Sequence, residues 1–167
     1  ACVGWKNVGR VGQWPGARAW EREQPVCLDR WGRIHAKCYE EGGKVAHEPD
    51  PNRRVCDSET DLASVDRFSQ YKSWGVNVDP ANRRMYGLDV ELFVDLLGKY
   101  VYSVHAKDGQ VVRHNLHRSG LNPHGNYRRL DRGFRFRNPG WGSVNWRDFI
   151  TELAMVGYFG PLHFEHE

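Results

Sequence analysis

The sequence predicts an α/β protein of the (β/α)8 TIM-barrel type that is incomplete, with a parallel sheet of about five strands and outer helices. Four short apolar runs each follow a candidate helix, and each ends in Glu, Asp or His directly before a loop-type sequence. Strands that alternate with helices favour a parallel sheet covered by outer helices. The chain has 167 residues, whereas a complete barrel typically needs about 250. We therefore interpret residues 1–167 as a single barrel domain whose N-terminal units are missing.

The composition indicates a folded domain and argues against two functional classes. Apolar residues make up 40% of the chain, and the formal net charge of +3 is too small to be typical of a dedicated nucleic-acid binder. No apolar run approaches the roughly 18 residues that a membrane span needs. The four cysteines form no CxxC pair, so we expect reduced thiols in a cytoplasmic protein rather than a zinc ribbon.

The first predicted elements are a strand within residues 3–12 and a helix over about residues 19–41. Alternating steps of four and three residues place Trp31, Ile34 and Cys38 on one apolar face of this helix. Two glycines follow the last of these positions and end the helix.

Three more pairs of helix and strand follow. Ser58 and Asp89 are predicted N-caps, because apolar residues at helical spacing come directly after each of them. The last helix carries Trp146, Phe149 and Leu153 on one side. The predicted strands of the parallel sheet beyond the first helix are residues 44–48, 74–79, 100–105 and 161–165.

The connection over residues 109–143 is far longer than ordinary loops. We therefore predict a long functional loop that serves as a lid or contacts the substrate. Its arginines form a basic run, which is either a solvated face or a clamp for an anionic group.

Glu48, Asp79, His105 and Glu165 stand at the ends of the four predicted strands. The carboxyl ends of neighbouring parallel strands meet at one face of a sheet, so we expect these side chains to lie together. Taken alone, each acid could equally cap a helix or form a salt bridge. As a set, three carboxylates and one imidazole suit Mn²⁺, Mg²⁺, Co²⁺ or Zn²⁺, and such an ion polarises a carbonyl or hydroxyl oxygen. Glu48 and Glu165 then form the natural catalytic pair for moving a proton between carbons.

Several segments resemble the sugar phosphate isomerase/epimerase family, the group with the xylose-isomerase-like barrel. The segments are residues 76–80 (VNVDP), 104–108 (VHAKD), 136–142 (FRNPGWG), 157–162 (GYFGPL) and 165–167 (EHE). The resemblance extends from about residue 19 to the end of the chain and covers the family's last five strands of eight. It implies an isomerase or epimerase of a sugar, sugar phosphate or inositol-like polyol.

The resemblance also implies roles for individual residues. Glu48, Asp79, His105 and Glu165 would hold the metal, with Glu48 and Glu165 acting as acid and base. Lys107 would contact substrate oxygens, although a solvated loop lysine is an equally good interpretation. Arg137, inside one of the segments, is the first candidate for a substrate anion. Asn82 stands where the family often has a histidine, and it can still form a hydrogen bond with substrate.

Two alternatives remain open. The related apurinic endonucleases use a similar barrel with more histidine ligands to hydrolyse DNA, and an incomplete barrel could also be a non-catalytic remnant. The metal-dependent isomerase or epimerase is the leading hypothesis, with a small sugar or polyol as its partner, neither nucleic acid nor membrane, and a possible homo-oligomer.

Overall fold

The computed structural model describes residues 17–49, 58–121 and 129–165. In chain order the elements are α1 (Ala17–Glu40), β1 (Val45–His47), α2 (Ser58–Phe68), β2 (Trp74–Val78), α3 (Pro80–Met85), α4 (Val90–Leu97), β3 (Val101–Ala106), β4 (Asp108–Val111), α5 (Arg113–Ser119), β5 (Phe134–Arg137), α6 (Trp146–Met155) and β6 (Leu162–Phe164). This α/β architecture confirms the predicted fold class. The predicted strand within residues 3–12 lies outside the described residues.

Four strands form one parallel sheet in the order β1-β2-β3-β6. All three pairs of neighbours run in the same direction. The carboxyl ends of the four strands therefore lie at one edge, and any side chain that follows a strand is brought to that edge.

The hydrophobic core lies between the sheet and its helices. Val78 and Val104 from the sheet are fully buried, as are Phe93 of α4 and Phe149 of α6. Burial of each such side chain stabilises the fold by roughly 1.5–3 kcal/mol. Asp89 caps α4 as predicted, since its side chain accepts a hydrogen bond from the backbone N–H of Leu92 at 2.8 Å. The sheet is thus held rigidly beneath the residues at its edge.

Helix α1 buries a different residue from the one that its sequence spacing predicted. Ile34 is 45% exposed, whereas His35 is buried and stacks on Tyr71 beside Phe68. The Oγ of Ser73 donates to the carbonyl of His35 and lies 3.3 Å from His35 Nδ1. Burial lowers the pKa of His35 to about 4, so the ring is neutral. The prediction for Ile34 was wrong. The spacing of apolar residues indicates a helix, but contact with the rings of Phe68 and Tyr71 decides which side of that helix is buried.

The connection between β3 and α6 contains regular structure where the sequence predicted a loop. Strands β4 and β5 form an antiparallel pair with Asp108 opposite Arg137 and Val111 opposite Phe134, and α5 lies between them. The alternation of Phe and Arg in β5 is typical of a half-buried strand, and this signal was missed. Residues 122–128 of the same connection lie outside the described residues.

In the portions of the chain that the structure describes, each helix is too short or too polar to cross a membrane.

Candidate metal centre

Four side chains converge at the carboxyl edge of the parallel sheet. Glu48 follows β1, Asp79 follows β2, His105 lies in β3 and Glu165 follows β6. Each offers one ligand atom, and these atoms all lie within 4.8 Å of one another. The structure therefore brings together all four residues that the sequence predicted as metal ligands.

The imidazole of His105 is at the centre of this cluster. Its Nδ1 lies 2.6 Å from Glu165 Oε2, 3.3 Å from Glu48 Oε1 and 3.9 Å from Asp79 Oδ2. Burial by itself would lower the pKa of His105, but the surrounding carboxylates outweigh burial and raise the pKa to about 9. Without a competing cation, His105 is therefore charged at neutral pH.

Asp79 is buried and has two separate tasks. Its Oδ1 accepts hydrogen bonds from the backbone N–H groups of Ala81 and Asn82, at 2.9 and 3.3 Å, and so caps α3. Its Oδ2 faces the cluster. Burial would raise the pKa of Asp79, but His105 and Lys107 outweigh it and lower the pKa, so the carboxylate is ionised. The cap leaves one oxygen of Asp79 for a ligand.

Lys107 is a buried cation beside the cluster. Its side chain is 2% exposed, which contradicts the interpretation as a solvated loop lysine. The ammonium lies 2.8 Å from Asp79 Oδ2, 3.7 Å from Glu165 Oε2 and 4.5 Å from the centre of the Phe136 ring. With His105 neutral, three carboxylates and one lysine carry a net charge of −2, which one divalent cation would balance.

Three atoms of the cluster are buried and lack a hydrogen bond of acceptable geometry: Asp79 Oδ2, His105 Nδ1 and Glu165 Oε2. Their short separations from charged neighbours are thus electrostatic contacts without hydrogen-bond direction. Asp79 Oδ2 and Glu165 Oε2 are paired by charge with Lys107 and His105 instead. A set of three carboxylates and one imidazole fits a divalent ion, which would compensate the remaining negative charge.

The cluster is accessible from solvent on one side. The side chains of Glu48, His105 and Glu165 are 36%, 19% and 20% exposed. Cavities elsewhere, one between α4 and α6 and one at the amino ends of β1 and β3, include none of the four residues. Solvent therefore reaches three of the four side chains.

The two other predicted substrate-binding residues, Asn82 and Arg137, lie in different surroundings. Asn82 is buried in the first turn of α3, next to Asp79. Arg137 is half-buried in β5, where its Nε and Nη2 donate to Gln110 Oε1 at 3.0 and 2.7 Å. The guanidinium of Arg137 is thus held against the neighbouring strand β4, and a contact with substrate stays a prediction.

Asn77 is a site residue that sequence reasoning missed. It is buried in β2, and its Nδ2 lies 3.0 Å from His105 Nε2. The signal was an amide in the middle of the otherwise apolar strand Trp74–Val78. Such a side chain has to find a polar partner when it is buried.

Asp108 is a second missed residue, and it accepts five hydrogen bonds. The donors are the backbone N–H groups of Gly109, Gly140, Gly142 and Val144 and the indole N–H of Trp146, at 2.7–3.1 Å. Gly140 has a φ of 85°, which favours glycine. The segment that includes Trp141, 72% exposed, is therefore a loop built around one buried carboxylate.

Comparison with known proteins gives one family match and one similar fold. The family described as the xylose isomerase-like TIM barrel matches residues 6–167. The crystal structure of a xylose isomerase domain protein from Planctomyces limnophilus is similar, with a TM-score of 0.62 and 22% sequence identity over 94% of this chain and 49% of that one. The chain thus spans about half the length of that protein, and this likeness concerns the fold alone. Among curated proteins, none matches the sequence significantly.

Proposed function

Because this chain belongs to the xylose isomerase-like TIM barrel family, we propose that it forms part of a divalent-metal-dependent isomerase or epimerase. The substrate is a sugar, a sugar phosphate or an inositol-like polyol. The family is largely enzymatic and includes sugar isomerases and epimerases as well as endonuclease IV-like enzymes. The observation that carries the proposal is the convergence of Glu48, Asp79, His105 and Glu165, with ligand atoms within 4.8 Å of one another.

The four residues hold one ion of Mn²⁺, Mg²⁺, Co²⁺ or Zn²⁺. Two facts support this assignment: hard oxygen donors dominate the set, and three of its buried atoms have no hydrogen bond. When bound, the ion polarises a carbonyl or hydroxyl oxygen of the substrate.

Glu48 and Glu165 transfer the proton. Both carboxylates face His105 Nδ1, at 3.3 and 2.6 Å, and both are reached by solvent, so a substrate can lie against them. One carboxylate removes the proton from a carbon next to a carbonyl group, and the electron pair of that C–H bond moves toward the carbonyl oxygen. In epimerisation, the other carboxylate returns a proton to the opposite face of the same carbon, and the electron pair moves back from the oxygen to restore the carbonyl group. In isomerisation, a proton is returned to the former carbonyl carbon, while the hydroxyl proton of the first carbon passes to the former carbonyl oxygen, so that the carbonyl group moves to the first carbon.

Lys107, Asn82 and Arg137 orient the substrate. The ammonium of Lys107 is held beside two cluster carboxylates and can donate to a substrate hydroxyl. The Asn82 side chain lies in the first turn of α3, next to a proposed ligand. Arg137 would bind a substrate phosphate after exchanging one of its two bonds to Gln110.

The proposal includes a cytoplasmic location. Cys38 is a half-buried free thiol, and reduced thiols are typical of proteins in reducing compartments.

The test is solvent-proton exchange into a panel of ketoses, aldoses, their phosphates and inositol-derived ketones. The protein is incubated with Mn²⁺ in D₂O, and deuterium at carbon is followed by NMR. Glu48→Gln should lower the exchange rate by about 10²–10⁴-fold, because a carboxamide cannot accept the proton. Glu59→Gln, at an exposed position of α2, is the matched control and should exchange at the parent rate.

Full exchange activity in Glu48→Gln would contradict the proposal. Cleavage of abasic-site DNA, with no exchange into any sugar, would favour the endonuclease IV-like activity that also occurs in the family. A folded protein that binds no divalent ion would favour a non-catalytic remnant.

A further inference from the structure

Asn77 makes an unusual contact with the imidazole at the centre of the cluster. The strand that carries it is buried along its whole length, and Asn77 itself is 5% exposed. Its Nδ2 lies 3.0 Å from His105 Nε2, while its Oδ1 is buried without a hydrogen bond. The amide thus contacts the ring nitrogen that points away from Glu48 and Glu165.

The sheet register places Asn77 on the same face as His105. The pairing of β2 with β3 is irregular between Val76 and Asn77, so that Asn77 lies opposite Ser103. Ser103 and His105 are two residues apart on one strand, and their side chains therefore share a face. Irregular pairing of this kind often redirects a side chain beside a functional site.

The state of the imidazole determines which end of the amide must face it. His105 Nδ1 is the nitrogen that points at the carboxylates, so binding a cation through Nδ1 leaves the ring hydrogen on Nε2. The imidazolium form also carries a hydrogen on Nε2. In both forms His105 Nε2–H needs an acceptor, which an NH₂ group cannot be.

A half-turn of the amide resolves both mismatches. Oxygen and nitrogen of an asparagine amide have nearly the same shape, and their assignment follows from the hydrogen bonds that they make. With Oδ1 in the position 3.0 Å from Nε2, the unsatisfied oxygen of Asn77 gains a donor and His105 Nε2–H gains an acceptor.

We propose that Asn77 is a positioning residue that accepts a hydrogen bond from His105 Nε2–H through Oδ1. This bond holds the imidazole in the tautomer and orientation that directs the lone pair of Nδ1 at the cation shared with Glu48, Asp79 and Glu165. The inference rests on the proposed metal centre and assigns the partner that orients its one nitrogen ligand. Partners of this kind typically contribute 10–100-fold to metal affinity.

An amide at this position does not benefit the strand as such. Asparagine is depleted in strands, and a buried amide costs free energy unless its groups are paired. A contribution to fold stability alone would be better made by an apolar residue like those at Val76 and Val78. This difference makes a positioning role separable from a structural one.

The experiment compares Asn77→Leu with Asn77→Asp in the protein. Leucine has no acceptor, so the dissociation constant for Mn²⁺, measured by calorimetry, should rise about 10–100-fold. Aspartate keeps an oxygen near Nε2 and adds a negative charge, so its Mn²⁺ affinity should equal or exceed that of the parent. Asn115→Leu is the matched control, because Asn115 is a buried asparagine that donates to the Arg132 carbonyl in another part of the fold; its Mn²⁺ affinity should be unchanged.

A second readout does not depend on metal. In ¹⁵N–¹H NMR spectra of metal-free protein, the ring Nε2–H of His105 should be slow to exchange with solvent in the parent and in Asn77→Asp, and fast in Asn77→Leu. Where the leucine variant does not fold, Asn77→Ser provides the same test with a side chain too short to reach the ring.

Two results would overturn the inference: parent-like Mn²⁺ affinity in folded Asn77→Leu or Asn77→Ser, or a slowly exchanging Nε2–H in either variant. A parent protein that binds no divalent ion would instead refute the proposed function, and the exchange measurement would still decide whether Asn77 holds His105.

Discussion

The single buried acid Asp108 and the three acids of the cluster both lie at the carboxyl side of the sheet, and the chain satisfies their oxygens in opposite ways. Asp108 accepts five hydrogen bonds from backbone and indole N–H groups. In the four-residue cluster, Asp79 and Glu165 present buried oxygens that have no hydrogen bond and face His105. Burial of an acid therefore does not by itself indicate function. The informative property is whether the donors of the chain account for its oxygens or leave room for a cation.

The difference predicts opposite energetic roles. The five N–H groups around Asp108 have its carboxylate as their acceptor, so we expect that acid to stabilise the fold. The carboxylates of the cluster repel one another unless His105, Lys107 or a cation compensates, so we expect those acids to contribute little stability to the metal-free fold. Lys107 is covalently next to Asp108 and contacts Asp79, which places the two groups side by side.

The largest effect is expected from Asp108→Ala. Removing the carboxylate leaves several buried N–H groups without an acceptor, and we expect a loss of about 3–5 kcal/mol in the free energy of unfolding. Urea denaturation measures it. Glu165→Gln in the metal-free protein should change the same quantity by less than about 1 kcal/mol, because it removes repulsion as well as attraction. Equal losses of unfolding free energy in both variants would contradict the different energetic roles expected for Asp108 and the cluster acids.

Divalent ions should stabilise the protein through the cluster alone. At an Mn²⁺ concentration 100 times the dissociation constant, the gain in unfolding free energy should be about 2.7 kcal/mol. Addition of EDTA should abolish this gain. The gain should also vanish in Glu165→Gln, measured at the same ion concentration, since that variant lacks one proposed ligand. An undiminished gain in Glu165→Gln would place the ion elsewhere.

The metal-free protein should lose stability as the pH rises. The pKa of His105 is raised to about 9 in the fold, against about 6.5 in an unfolded chain. The contribution of its charged form is thus fully present below pH 6.5 and is lost between pH 6.5 and 9. We expect the free energy of unfolding to fall by about 1–3 kcal/mol over this pH range. Denaturation at several pH values measures this change. A His105→Asn variant should lack this slope, and a parent-like slope in that variant would exclude His105 as its origin.

The smallest effect concerns a single donor to Asp108. Trp146→Phe keeps an aromatic ring against Phe149 but removes the indole N–H, and it should cost about 1 kcal/mol of unfolding free energy. Trp141→Phe, at the exposed tip of the same loop, is the control and should be neutral in urea denaturation. A neutral result for both would mean that the backbone donors alone suffice for Asp108.

Much of the fold could be predicted because each signal is local. Apolar spacing marked α4 and α6, and the cap residue Asp89 marked where α4 begins. The four cluster residues were found from the rule that parallel strands end at one edge. The pairing of β4 with β5 was missed, because the alternation in β5 spans only four residues and its partner strand lies more than 20 positions earlier in the chain.

The contacts beside the cluster could not be predicted, because they join residues far apart in sequence. Lys107 pairs with Asp79, Asn77 contacts His105, and the Asp108 side chain accepts donors more than 30 positions away. A local pattern carries no record of such partners. Only packing decides which buried polar group meets which, since each needs a counterpart of the right kind within about 3 Å.

The sequence by itself determined the α/β class, the positions of the parallel strands along the chain and the identity of the four cluster side chains. It could do so because periodicity and strand ends are properties of consecutive residues. Only the tertiary structure decided that His35 rather than Ile34 is buried, that Asp108 is a structural acid and that Asn77 contacts the histidine. Those outcomes depend on the free energy of satisfying each buried polar group in three dimensions, which no stretch of chain contains alone.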